Sequence, residues 1–88
     1  MPETYQVVVK VVSQKGTCSA GHKVGDEWVI GSKTPEGICL AAFHTIYPVV
    51  FLLITGAPLT WRPDPNVTVE ACPDVANPVV FELRRLPK

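Results

Sequence analysis

From Gly37 through Trp61 the chain carries no Lys, Arg, Asp or Glu, and that uncharged stretch limits what the whole can fold into. A run of this length has to be buried, either in a bilayer or in protein, because about 20 apolar residues already cross the hydrocarbon core of a membrane. His44, Thr45, Tyr47, Pro48, Thr55 and Gly56 interrupt it, and its unbroken apolar part is only Val49 to Ile54. Strand-like segments on both sides also need a sheet to join. The stretch therefore reads as a helix buried in a core or a subunit interface, and not as a membrane span.

Those flanking segments follow the two-residue period of strands. Tyr5, Val7, Val9 and Val11 make one wholly apolar face, with Gln6, Val8, Lys10 and Val12 on the other. Ser13 to Gly25 is a glycine-rich loop, and Glu27-Trp28-Val29-Ile30 a short strand ending at Gly31. Thr34-Pro35-Glu36 has the chemistry of a helix start: an N-cap hydroxyl, a proline where no N–H is needed and a carboxylate at the positive end of the dipole. Pro48 removes a helical hydrogen bond, so a kink or restart is expected there, with a second segment from Pro48 to Thr55 stopped by Gly56 and Pro58. Leu59 to Pro65 reads as an ordered loop. Val67, Val69 and Ala71 are expected to face the core, which puts Thr68, Glu70 and Cys72 on the polar side. In the last strand Val79, Phe81 and Leu83 face in, and Val80, Glu82 and Arg84 face out. The sum is an α+β fold: a small four-stranded, mostly antiparallel sheet, β-β-α-β-β, packed against a Pro-kinked helix. One domain over residues 1–88 is expected, near the lower size limit for a self-sufficient core.

Charge narrows the range of partners. Eight basic residues balance eight acidic ones, and the only adjacent basic pair is Arg84-Arg85, so the concentrated basic patch that captures nucleic acid is missing. Charged residues make up 18% of the chain, below the usual share of about 25%, which points to apolar surface covered by a partner copy, a homo-oligomer. Trp28, Phe43, Phe51 and Trp61 suit such an interface or an anchor for another protein. The opening residues show no basic-then-apolar export signal, and thiols in such a chain belong to a reducing, cytoplasmic compartment.

Three cysteines carry the chemistry. Cys18 lies in a glycine loop, Cys39 follows Pro35-Glu36-Gly37-Ile38, and Cys72 opens Cys72-Pro73-Asp74. An odd number leaves at least one thiol outside any internal disulfide. Thiolates are soft ligands for zinc, copper(I) and iron–sulfur clusters, and glycines beside them allow close backbone approach and amide hydrogen bonds to sulfur. A helix N-terminus near Cys39 would stabilise anionic charge there. There is no C-x-x-C pair, the strongest zinc or cluster signal. His22, four residues after Cys18, is the candidate fourth ligand of a Cys3His zinc site. His44 lies five residues beyond Cys39, roughly 140° away on a helical wheel, and does not share a centre with it. Three thiolates without an assured fourth ligand favour an iron–sulfur cluster such as [4Fe–4S] slightly over zinc. The two alternatives are an oligomeric interaction module with structural cysteines, and a thiol enzyme in which His22 or His44 serves Cys39 as base with Asp26 or Asp74 as orienter.

Gly16-Thr17-Cys18, Gly21-His22-Lys23-Val24-Gly25-Asp26-Glu27-Trp28, Pro35-Glu36-Gly37-Ile38-Cys39, Ile46-Tyr47-Pro48, Cys72-Pro73-Asp74 and Pro78-Val79-Val80-Phe81-Glu82-Leu83 together carry a resemblance over nearly the whole chain. It resembles a family of short, functionally uncharacterised bacterial and archaeal proteins with three characteristic cysteines. The resemblance implies that Cys18, Cys39 and Cys72 belong together. It implies no activity, and Ala41, Ala42 and His44 depart from the polar or aromatic residues many of those proteins carry in the helix.

Overall fold

The alternating valines of the first strand and the last are satisfied by pairing side by side. In a computed structural model, which describes residues 4–87, β1 (Val7–Gln14) lies between β2 (Glu27–Ile30) and β4 (Val79–Arg85), and β3 (Val67–Ala71) flanks β4. The sheet order is β2-β1-β4-β3 with every neighbour antiparallel. One helix, α1 (Leu40–Ile54), covers one face. Val7, Val9, Val11, Val79, Phe81 and Leu83 meet Ala42, Ile46, Val50 and Leu53 of α1 in one hydrophobic core. No helix among the described residues is long and apolar enough to cross a membrane.

Three expectations change. The helix does not start at Thr34-Pro35-Glu36. Gly37 has φ +94°, outside the right-handed region, so a helix cannot pass through it. Cys39 takes the N-cap position instead, with extended backbone, and its carbonyl accepts the first helical bond from the Phe43 amide at 2.9 Å. Nor does the helix restart at Pro48. One helix runs through it, with Pro48 and His44 on the exposed side, where water can reach the carbonyl that proline leaves unpaired.

The third change concerns β3. Thr68 pairs with Leu83, and Glu70 with Phe81, so these residues share the helix-covered face of β4. Thr68 is 2% exposed, while Val69 is exposed at 42%. The alternation Val67, Val69, Ala71 therefore points to the open face, beside Val8, Val80 and Arg84, and Cys72 continues the inward set. The reversal is physically allowed because the open face is itself rich in valine, including Val12 and Val29. Hydrophobicity thus does not distinguish the two faces of this edge strand.

The C-terminal end of α1 closes as expected. Gly56, at φ +87°, donates to the Leu53 carbonyl and Ala57 to the Leu52 carbonyl, the paired bonds of a Schellman stop. Arg85 reinforces it from the sheet: Nε donates to Leu53 O at 2.8 Å, Nη2 to the carbonyls of Leu52 and Ala57, and Nη1 to Asn66 Oδ1 at 2.8 Å. Its guanidinium also lies over the Tyr5 ring.

Candidate three-cysteine pocket

Each cysteine is delivered by a different element end. Cys18 sits in the loop leaving β1, Cys39 at the N-cap of α1, and Cys72 just past β3. All three are free and half-buried, and with His22 and Asn77 they line one cavity of about 230 Å³. Convergence depends on the inward face of β3, since the opposite register would carry Cys72 to the far side of the sheet. A larger groove, about 380 Å³, runs between α1 and residues 30–34 and contains no thiol.

Hydrogen bonds hold all three cysteines, and at Cys18 the Gly21 amide donates to the backbone carbonyl at 3.0 Å. The Val79 amide donates to Cys72 Sγ at 3.3 Å, and the Cys72 amide returns a bond to Val79 O at 2.9 Å. An amide donor on sulfur is the contact that stabilises a thiolate or a ligated sulfur. At the helix start, the Cys39 amide donates to His22 Nε2 at 2.9 Å. That nitrogen is therefore an acceptor, and the imidazole is the neutral tautomer with its proton on Nδ1. The ring is 6% exposed and meets Trp28 edge-on at 5.0 Å and Phe81 at 6.1 Å.

This geometry gives His22 a different part from the one expected. Its Nε2 lone pair is spent on the Cys39 backbone, so it holds the helix start and leaves that nitrogen no lone pair for a metal. The bond that His22 makes to Cys39 is to its backbone amide, and Asp26 accepts from the Lys23 amide at 3.1 Å. Asp74 accepts from the amides of Ala76 and Asn77 and from Asn77 Nδ2. His44 is exposed on the outer side of α1, among Leu40, Phe43 and Tyr47. Among the described residues, no group of three or more His, Cys, Asp or Glu is drawn together tightly enough to hold one metal ion as it stands.

Sequence reasoning missed Asn77, which lines the pocket. Its signal was available: Asp74-Val75-Ala76-Asn77 has the Asp and Asn spacing of a side-chain-capped turn. No protein-family model, curated protein or solved structure matches this chain.

Proposed function

We propose that this protein binds a thiophilic metal centre through Cys18, Cys39 and Cys72, an iron–sulfur cluster in preference to zinc. The observation that carries the reading is that three thiols, far apart in sequence, line one cavity of about 230 Å³. A zinc ion needs its sulfurs within about 2.3 Å of a single point, whereas a cavity this size, walled by thiols, suits a guest of several atoms. Helix polarity supports an anionic guest. Ala41 and Ala42 of the first turn line the cavity, the N-terminus has no side-chain cap, and no acidic residue occupies that turn. With His22 committed to the Cys39 amide, the centre keeps a position open to an exogenous ligand. Reduced thiols of this kind belong to a reducing compartment such as the cytoplasm.

Anaerobic purification followed by iron, sulfide and zinc analysis and a visible spectrum tests the proposal. Stoichiometric iron and sulfide with broad visible absorbance are expected, lost when all three cysteines become serine. A colourless protein with neither iron nor zinc would sink it.

A second reading concerns assembly, and one observation favours it. Phe43, Tyr47 and Phe51 are spaced four residues apart on α1, a pattern that reads the same in both directions about Tyr47. Phe43, Tyr47 and Phe51 form an aromatic row at 5.9 and 6.0 Å, and α1 bears no Lys, Arg, Asp or Glu. An antiparallel pairing of two copies would set Tyr47 on its own mate and Phe43 on Phe51, with helix dipoles opposed. Sedimentation equilibrium should give a dimer that Tyr47→Glu converts to a monomer; a wild-type monomer at high concentration rejects this reading.

A further inference from the structure

The loop bearing Cys18 and the loop bearing Cys72 leave the same end of the sheet, beyond the pair Gln14 and Val79. They are joined there by one side chain. The Thr17 amide donates to Asn77 Oδ1 at 2.9 Å. The orientation of that amide group is set from the other end, because Asn77 Nδ2 donates to Asp74 Oδ2 at 3.3 Å. Asp74 is held in turn by the amides of Ala76 and Asn77, at 3.1 and 3.0 Å. The path thus runs from Cys72 through Asp74 and Asn77 to Thr17, the residue next to Cys18. Gly16 makes room for it: φ is +67°, and a Cβ at that position would run into Asn77 Oδ1. The Lys15 amide, donating to Pro78 O at 3.0 Å, closes the same junction through the backbone.

We infer that Asn77 is the positioning residue that registers Cys18 against Cys72, setting the mouth of the three-thiol pocket. Cys39 lies outside this linkage, on the helix, and is held by His22. Its purpose rests on the metal-binding reading, but its geometry does not. Aspartate cannot replace Asn77, because it keeps the acceptor for Thr17 but sets a carboxylate against Asp74 Oδ2 where a donor is required.

The test compares wild type with Asn77→Ala and Asn77→Asp, using Gly56→Ala as a destabilised control remote from the pocket. Alkylation by iodoacetamide, followed cysteine by cysteine, should speed up about fivefold at Cys18 and Cys72 in both Asn77 variants, the equivalent of one lost hydrogen bond, while Cys39 is unchanged. Hydrogen exchange at the Thr17 amide should rise with it. Cadmium affinity, read from thiolate absorbance, should fall about tenfold or more, as for other groups that orient metal ligands. Unchanged rates at Cys18 and Cys72, or an equal rise in Gly56→Ala, would overturn the inference. Wild-type protein that binds no cadmium, iron or zinc would remove the metal-binding reading, yet the alkylation and exchange results would still decide the role of Asn77.

Discussion

Arg85, on the helix-covered face of β4, should be the most costly arginine to lose, because one guanidinium ties three elements together. It reaches the carbonyls of Leu52, Leu53 and Ala57 at the end of α1, Asn66 before β3, and the Tyr5 ring. Leu52 and Leu53 also receive the amides of Ala57 and Gly56, so truncation does not strip them of every donor. The loss is then about two charge-assisted bonds' worth, each roughly 1.5 kcal/mol net, and a positive charge at the negative helix end contributes within that sum. Arg85→Ala should cost about 3 kcal/mol, which for a domain of this size lowers Tm by roughly 12–24 °C. Arg85→Lys keeps the charge but not the fork, and should recover less than half of the loss. Asn66→Ala removes only one of the bonds, so it should cost about 1 kcal/mol and couple to Arg85→Ala in a double-mutant cycle. Urea unfolding followed by circular dichroism measures all four. An Arg85→Ala protein within 0.5 kcal/mol of wild type would refute the reasoning, because the helix end would then be closed by its Schellman bonds alone.

Three further outcomes are expected. Gly56→Ala forces a side chain into a positive-φ position with its Cβ 3.1 Å from Tyr5 Cε2, and should cost about 1–2 kcal/mol in thermal unfolding. Nitrogen NMR of His22 should show the proton on Nδ1 and a bare Nε2; the opposite tautomer would break the bond assigned to the Cys39 amide. Thr68→Lys should destabilise by about 3 kcal/mol or more by burying a charge, whereas Val69→Lys should stay within about 0.5 kcal/mol, and the reverse ranking would restore the face expected from hydrophobicity.

How much could be read in advance depended on where each element sits. β1 and β4 are the central strands, each with one face sealed by α1, so Val7, Val9 and Val11 and Val79, Phe81 and Leu83 declare their direction plainly. The end of the helix was equally legible, because Gly56 and Pro58 act locally. Its start was not. Thr34-Pro35-Glu36 has the right local chemistry, but Gly37 adopts a conformation that only the tertiary path of the chain dictates. The burial of His22 was hidden for a similar reason: Trp28 and Phe81, which enclose it, come from two different strands.

The misread strand bears most directly on the site. Judged on burial alone, β3 should turn Val67 and Val69 toward α1, since burying a valine is worth about 1.5 kcal/mol or more. The structure instead turns Thr68, Glu70 and Cys72 inward and leaves both valines on the open face. Side chains alternate strictly along a strand, so no partial compromise exists: either the valines are buried or Cys72 joins the face that holds Cys39. A strand that gives up apolar burial to bring a thiol inward departs from its own local pattern, and such departures concentrate where function is carried. The arrangement of β3 thus sets Cys72 on the face that carries Cys39, and the meeting of the three thiols in one cavity depends on that single choice of face.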